Sequence, residues 1–367
     1  MENLNSKTLK TLPTLDKVTR WSAPSNRENL INLNLNEGMF DKKDLAFFKK
    51  FTDFSSTVIT QYPEYETILG LLAGYTHTRT QEIILTNGAD QGIDLVCRLF
   101  FNKDSNVLVP SPVFSYYYHV LDLLGSTVTP VFYRKKENTF EFPLNEILEK
   151  IPESSGVILC NPNNPLGTTI DLTAIEQIVQ RSQHYNIPVI IDEAYFEYHG
   201  ETSIPLLKTY KNIVIIRTFS KFFCLAGLRL GYAIANPEII KGLLKIRGPW
   251  DVNHFSIFAG SLCLQNIGFF DNKRRETDEH REIIESCLHR TAMISYACKT
   301  NFMVVDQKQT NYTSVLKADN IIVSDLSAYP YSNNLLQDHI RITIPGTDFF
   351  DLLVKTLSPD AQFKEAA

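Results

Sequence analysis

Short apolar runs recur along the middle of the chain. Each ends at a turn of small or polar residues and is followed by helical spacing. Glu82 to Thr86 runs into N-G-A-D, and Asn106 to Pro110 into S-P-V-F. Gly156 to Cys160 runs into N-P-N-N-P-L-G, Pro188 to Ile191 into D-E-A-Y, and Ile213 to Ile216 into R-T-F-S-K. Leu69, Leu72 and Ala73 are spaced for one helical face, and Asp171 to Asn186 reads as a second helix. Strand, turn and helix repeating from residue 80 to 235 predict an α/β doubly wound sheet.

The flanks read differently. Residues 1 to about 30 are polar and weakly patterned, as in an arm. Ile31 to Gly38 alternates like a short edge strand. Phe140 to Ile151 predicts a loop and a short amphipathic helix. Beyond Asn236-Pro237 the pattern is mostly helical: Glu238 to Arg247, then a long charged helix over roughly residues 266 to 298. Its run of charges suits a solvated face. Two late apolar stretches, 321 to 327 and 339 to 346, close the pattern.

At 367 residues the chain can build one large domain and a smaller one. A net charge of −5 gives no support for nucleic-acid binding. The six cysteines form no C-x-x-C pair and mostly sit in apolar runs. That points to reduced, buried thiols and a cytoplasmic protein. The first residues lack a signal-peptide core, and no apolar run approaches the roughly 20 residues of a membrane span. No metal site is expected.

The chemistry concentrates at the strand ends. A strand delivering Thr218, Ser220 and Lys221 to a turn brings two hydroxyls and an amine together, and Arg229 can return to them. Hydroxyls and a guanidinium suit a phosphate. A partly desolvated lysine beside a cation loses its proton readily, as covalent bonding to an aldehyde requires. The plain alternative is a buried strand and a solvated turn. Gly88, Ala89 and Asp90 open a helix whose free N–H groups can take an anion. Asp192 ends a wholly apolar strand, where a carboxylate is costly unless paired; a helix cap is its alternative role.

S-K-x-x-x-x-A-G-L-R-x-G, from Ser220 to Gly231, resembles the pyridoxal-phosphate lysine motif of the class I/II aminotransferases. With Y-P at 62, N-P-N-N-P-L-G and D-E-A-Y in the same order, the chain resembles the histidinol-phosphate aminotransferase-like branch over roughly residues 31 to 355. The resemblance implies the type I fold of pyridoxal-phosphate transferases, with a large, mostly parallel sheet domain and a smaller α/β C-terminal domain. It divides the chain into an arm (1–35), a cofactor domain (36–240) and a small domain (241–367).

It further implies that Lys221 carries pyridoxal 5'-phosphate. Gly88, Ala89, Asp90, Thr218, Ser220 and Arg229 would hold its phosphate, and Phe114 would stack on its ring. Asn164 and Tyr195 would donate to its phenolic oxygen, and Asp192 would pair with its ring nitrogen. Tyr62 would reach the cofactor of a partner subunit in a homodimer. Arg341 would clamp a substrate carboxylate or phosphate, Asn36 would sit at the site's mouth, and Trp250 and Asn253 would line it.

The expected reaction moves an amino group between an amino acid and a 2-oxo acid, both small molecules. Decarboxylation of the phosphothreonine type, or another reaction on the same cofactor, is the alternative. Two positions depart from the branch: Leu166 stands where threonine is usual, and Ser324 where an arginine follows the I-I-V run.

Overall fold

The computed structural model describes residues 27–291, 293–307 and 311–358. The expected arm therefore lies outside the described residues as far as position 26. Seven strands form the main sheet. They are β1 (Ile83–Thr86), β2 (Asn106–Ser111), β3 (Thr127–Phe132), β4 (Gly156–Cys160), β5 (Val189–Asp192), β6 (Ile213–Thr218) and β7 (Gly231–Ala235). Their spatial order is β1-β7-β6-β5-β4-β2-β3. Only β7 runs antiparallel to its neighbours.

Every residue of β4, β5 and β6 is buried, which explains the apolar runs G-V-I-L-C, V-I-I before Asp192 and I-V-I-I before Arg217. Successive side chains point to opposite faces. Val157, Leu159, Val189, Ile191, Ile213 and Ile215 therefore enter one core, together with Ile175 and Ile178 of the helix Leu172–His184. Ile158, Cys160, Ile190, Val214 and Ile216 enter the other, against Ile93 and Val96 of the helix Gly88–Phe100. Each such side chain stabilises the fold by roughly 1.5–3 kcal/mol on full burial. The five co-directional strands nearest the lysine end at Thr86, Ser111, Cys160, Asp192 and Thr218, so these residues share one edge.

A second, antiparallel sheet runs Ile294–Ser295, Phe302–Asp306, His339–Thr343, Ser324–Asp325 in space. Beside it, Ile31–Asn32 pairs parallel with Ile321–Ile322. The alternating stretch from Ile31 to Gly38 is thus a strand only at its start, and the remainder crosses towards the first sheet.

Glu66–Thr76 buries Leu72 and packs Leu69 and Ala73 against the same core, as their spacing predicts, with Ile68 and Thr76 buried beside them. One helix differs from its sequence pattern. The long charged helix spans Ile267–Arg290 and stops short of 298. Beyond it Met293, Tyr296 and Cys298 are buried against the second sheet, and that burial overrides continued helix. Among the described residues no helix is long and apolar enough to cross a membrane.

One charged pair lies wholly inside the fold. Arg217 on β6 and Glu193 just after β5 are 2% and 1% exposed. Arg217 Nε and Nη2 donate to one Glu193 oxygen at 3.0 and 2.7 Å, and Ser203 N donates to the other at 2.6 Å. The guanidinium also lies 3.3 Å from the centroid of the Phe196 ring. Removing one partner leaves the other charge buried alone. Arg217→Met should therefore lower stability by about 3–5 kcal/mol, and adding Glu193→Gln should recover part of it. Chemical denaturation of the single and double variants checks this, and strictly additive losses would contradict it.

Candidate active site

The lysine turn follows β6. Thr218 Oγ1 donates to Ser220 Oγ at 2.9 Å, and Ser220 N donates back to Thr218 Oγ1 at 3.1 Å. Both hydroxyls are buried. Gly231 pairs with Thr86 on one side and Thr218 on the other. A Cβ at Gly231 would lie 2.6 Å from the Gly88 carbonyl carbon, so this close approach needs glycine. Gly88 itself has φ +70°, and a Cβ there would meet Arg229 Nη2 at 2.6 Å. The turn Gly88-Ala89-Asp90, Thr218, Ser220 and Arg229 are thus drawn together around Gly231. Arg229 Nη2 donates to Asp90 Oδ2 at 2.7 Å, a half-exposed pair.

Lys221 Nζ donates to the Leu35 carbonyl at 3.0 Å, and no carboxylate of the described residues pairs with it. Burial is the main reason its amine falls to about 8, and the Arg341 guanidinium adds to the effect. Asp192 is 2% exposed and has no cationic partner among the described residues. It accepts from Ala194 N at 3.0 Å and from the Tyr117 hydroxyl at 3.2 Å. Burial raises its carboxyl to about 6, and those two donors oppose the rise.

The second sheet brings Arg341 to the same edge. Its Nη1 donates to Asn164 Oδ1 at 2.5 Å, and its Nη2 to the Asn34 carbonyl at 2.8 Å and Ser324 Oγ at 3.1 Å. The residue is 8% exposed and has no carboxylate partner among the described residues, and its Nε is buried without an acceptor. With Oδ1 of Asn164 so occupied, that amide presents Nδ2 as its donor. Asn36, at φ 54°, donates Nδ2 to the Tyr195 hydroxyl at 2.9 Å. Asn36 N donates to Thr343 Oγ1, and Asn301 Nδ2 to the Asn36 carbonyl. The segment from Leu33 to Gly38 is thereby fastened to the second sheet while it lies across Lys221 and Tyr195.

Phe114 is half-buried at the carboxyl end of β2, where its carbonyl accepts from Tyr117 N. Leu166 is fully buried in the apolar cluster that contains Tyr195. Three residues stand apart. Tyr62 is 74% exposed and stacks on Trp250 at 4.3 Å between centroids. Trp250 is itself half-exposed. Asn253 spends its side-chain oxygen on Ser256 N, capping the helix His254–Leu264.

Tyr117, which donates to Asp192, is not among the residues singled out from the sequence. Its signal was a run of three tyrosines in the first helical turn after β2, of which one had to face the strand ends. The Leu35 carbonyl left no signal, because a backbone atom has no residue type. No cluster of His, Cys, Asp and Glu among the described residues could hold a metal.

Residues 28–349 match the family model described as aminotransferase class I and II. The chain is 32% identical over 305 residues to histidinol-phosphate aminotransferase of Thermoanaerobacter sp. (strain X514), covering 82% of this chain and 85% of that one. It is 30% identical over 284 residues to a putative threonine-phosphate decarboxylase of Caldanaerobacter subterraneus subsp. tengcongensis, covering 74% and 76%. Its fold is similar to that of histidinol-phosphate aminotransferase from Sinorhizobium meliloti in complex with pyridoxal-5'-phosphate. That match has a TM-score of 0.82 and 21% identity over 98% of this chain and 100% of the other. The type I fold expected from sequence is therefore the one observed. The chain belongs to the class I and II aminotransferase family, enzymes whose cofactor is pyridoxal 5'-phosphate.

Proposed function

We propose that Lys221 is the residue that binds the cofactor covalently and moves the substrate proton. Transfer of an amino group between an amino acid and a 2-oxo acid is the reaction the site supports best. One observation carries the reading: among the described residues, a half-buried amine with no carboxylate partner shares an edge with a buried carboxylate that has no cationic partner. The amine, in its neutral form, fits the aldehyde of pyridoxal 5'-phosphate, and the carboxylate fits its protonated ring nitrogen. The hydroxyls of Thr218 and Ser220, the N–H groups of 88–90 and Arg229 fit its phosphate.

When bound, the cofactor supplies an electrophilic carbon and a ring that withdraws electrons from the substrate's α-carbon. Asp192 holds the ring-nitrogen proton, and the Tyr117 hydroxyl keeps that carboxylate ionised. Asn164 Nδ2 and the Tyr195 hydroxyl would hold the phenolic oxygen as donors. Phe114 offers an aromatic face to the ring. Arg341 takes the substrate's anionic group. Lys221 Nζ, once free, removes the α-proton as general base. The segment at Leu35 and Asn36 screens this atom from water.

A homodimer is part of the proposal. The exposed Tyr62–Trp250 stack, with Ile59 74% exposed nearby in sequence, is suited to burial against a second copy. Tyr62 would then reach the partner's phosphate cradle. The domain limits 36–240 and 241–367 and a cytoplasmic location belong to the same proposal; the six free thiols suit a reducing compartment.

Lys221→Ala should abolish turnover and the protein-bound cofactor absorbance; full activity in that variant would refute the assignment. Release of carbon dioxide without keto acid would favour the decarboxylase reading. Only the neutral amine reacts. The rate of cofactor capture by cofactor-free protein should therefore rise about tenfold per pH unit below about 8 and level off above it, whereas a plateau only near 10.5 would contradict the lowered amine. Light scattering should give the mass of two chains. A monomer fully active on dilution would refute the cross-subunit role of Tyr62.

A further inference from the structure

The wall around Arg341 is neutral. Ser324 Oγ accepts from the guanidinium and donates to the Asn34 carbonyl at 2.7 Å. The Phe302 ring lies beneath the guanidinium, with its centroid 5.4 Å from Cζ. The Tyr329 hydroxyl accepts from Ser115 N and donates to the Val113 carbonyl, both at 3.2 Å. His339, two residues along the same strand, has both ring nitrogens engaged, by the Gln337 carbonyl and the Tyr296 hydroxyl.

The other cations of this region are committed. Arg229 pairs with Asp90 and Arg27 with Glu37, and Lys221 is the cofactor's residue on the reading above. Arg341 has five N–H donors, and three are held by Asn164, Asn34 and Ser324. Among the described residues, one guanidinium, with one Nη1 hydrogen and the buried Nε hydrogen uncommitted, therefore meets the incoming anion.

We propose that this site takes the carboxylate of an amino acid and discriminates against amines bearing a phosphate ester, with the neutral Ser324 as a specificity-determining position. The inference rests on Arg341 being the substrate clamp. A carboxylate brings one charge, which one guanidinium balances. A phosphate monoester brings about 1.5 to 2 charges and three acceptor oxygens. Its second charge would meet Ser324, Asn34, Phe302 and Tyr329, none of which compensates it in a desolvated pocket. The three proteins compared above carry names of phosphate-ester enzymes; at this wall the described residues of the present chain hold no second cation.

The test uses cofactor-loaded protein at pH 8, so that the cofactor's own phosphate already fills its cradle. Absorbance is titrated with L-histidine and L-histidinol phosphate, which share a side chain. It is also titrated with propionate and ethyl phosphate, which have none. Half-saturation should come at about tenfold lower concentration or less for the carboxylate of each responding pair. Ser324→Arg should tighten ethyl phosphate by roughly tenfold or more.

Equal or tighter binding of the phosphate partner by the unaltered protein would overturn the inference, whatever the variant does. A cofactor band that none of the four probes perturbs would overturn the clamp role of Arg341, and this inference with it, while leaving Lys221 in place. Absence of the band itself would instead remove the reading of Lys221.

Discussion

Holding a charge out of water without a counter-charge is costly, and among the described residues it happens three times along one edge. Lys221, Asp192 and Arg341 are each held by neutral dipoles: a carbonyl, an N–H with a hydroxyl, an amide oxygen with a carbonyl and a hydroxyl. Each desolvated ion costs several kcal/mol, and dipoles offset only part of that. The Arg217–Glu193 pair one layer beneath is the contrast. There both charges are fully matched, and the pair braces β5 against β6. Matched charges serve the scaffold; the unmatched ones keep their capacity for a ligand.

The parallel sheet decides where those charges gather. Co-directional strands end on one edge, so Asp192 and Thr218 arrive together from β5 and β6, while antiparallel β7 returns Gly231 to the same place. Close packing of Gly231 on Gly88 then seats the phosphate turn against the hydroxyls of the lysine turn. Arg341 comes from the other sheet, and its bond to Asn164 ties the two bodies at the site itself. The segment from Leu33 to Gly38 adds a second tie through Thr343, Asn301, Tyr195 and Lys221. The fastening of the two sheets and the placement of the reactive groups therefore share the same hydrogen bonds.

Strand identity was legible because fully buried parallel strands read as unbroken apolar runs up to their ends, as in V-I-L-C and the V-I-I before Asp192. The turns were legible because close backbone approach demands glycine at 88 and 231. Contacts between distant segments were not. Nothing local tells Tyr117 apart from Tyr116 and Tyr118; only the helix phase against β5 turns its hydroxyl to Asp192. The end of the long helix was misjudged because burial of Met293 and Tyr296 depends on a sheet formed by residues that come later. Asn253 read as a pocket residue, yet its position before a helix gave it capping work. Tyr62 faces outward in a single chain, so its part depends on a surface that one sequence does not describe.

The most direct measurement is borohydride reduction of the cofactor-loaded protein, followed by proteolysis and peptide mass mapping. Reduction makes the link between cofactor and amine permanent. The account predicts the added mass on the peptide bearing Lys221 and on no other lysine. Label on a different lysine, or on none in a protein that still turns over, would contradict it.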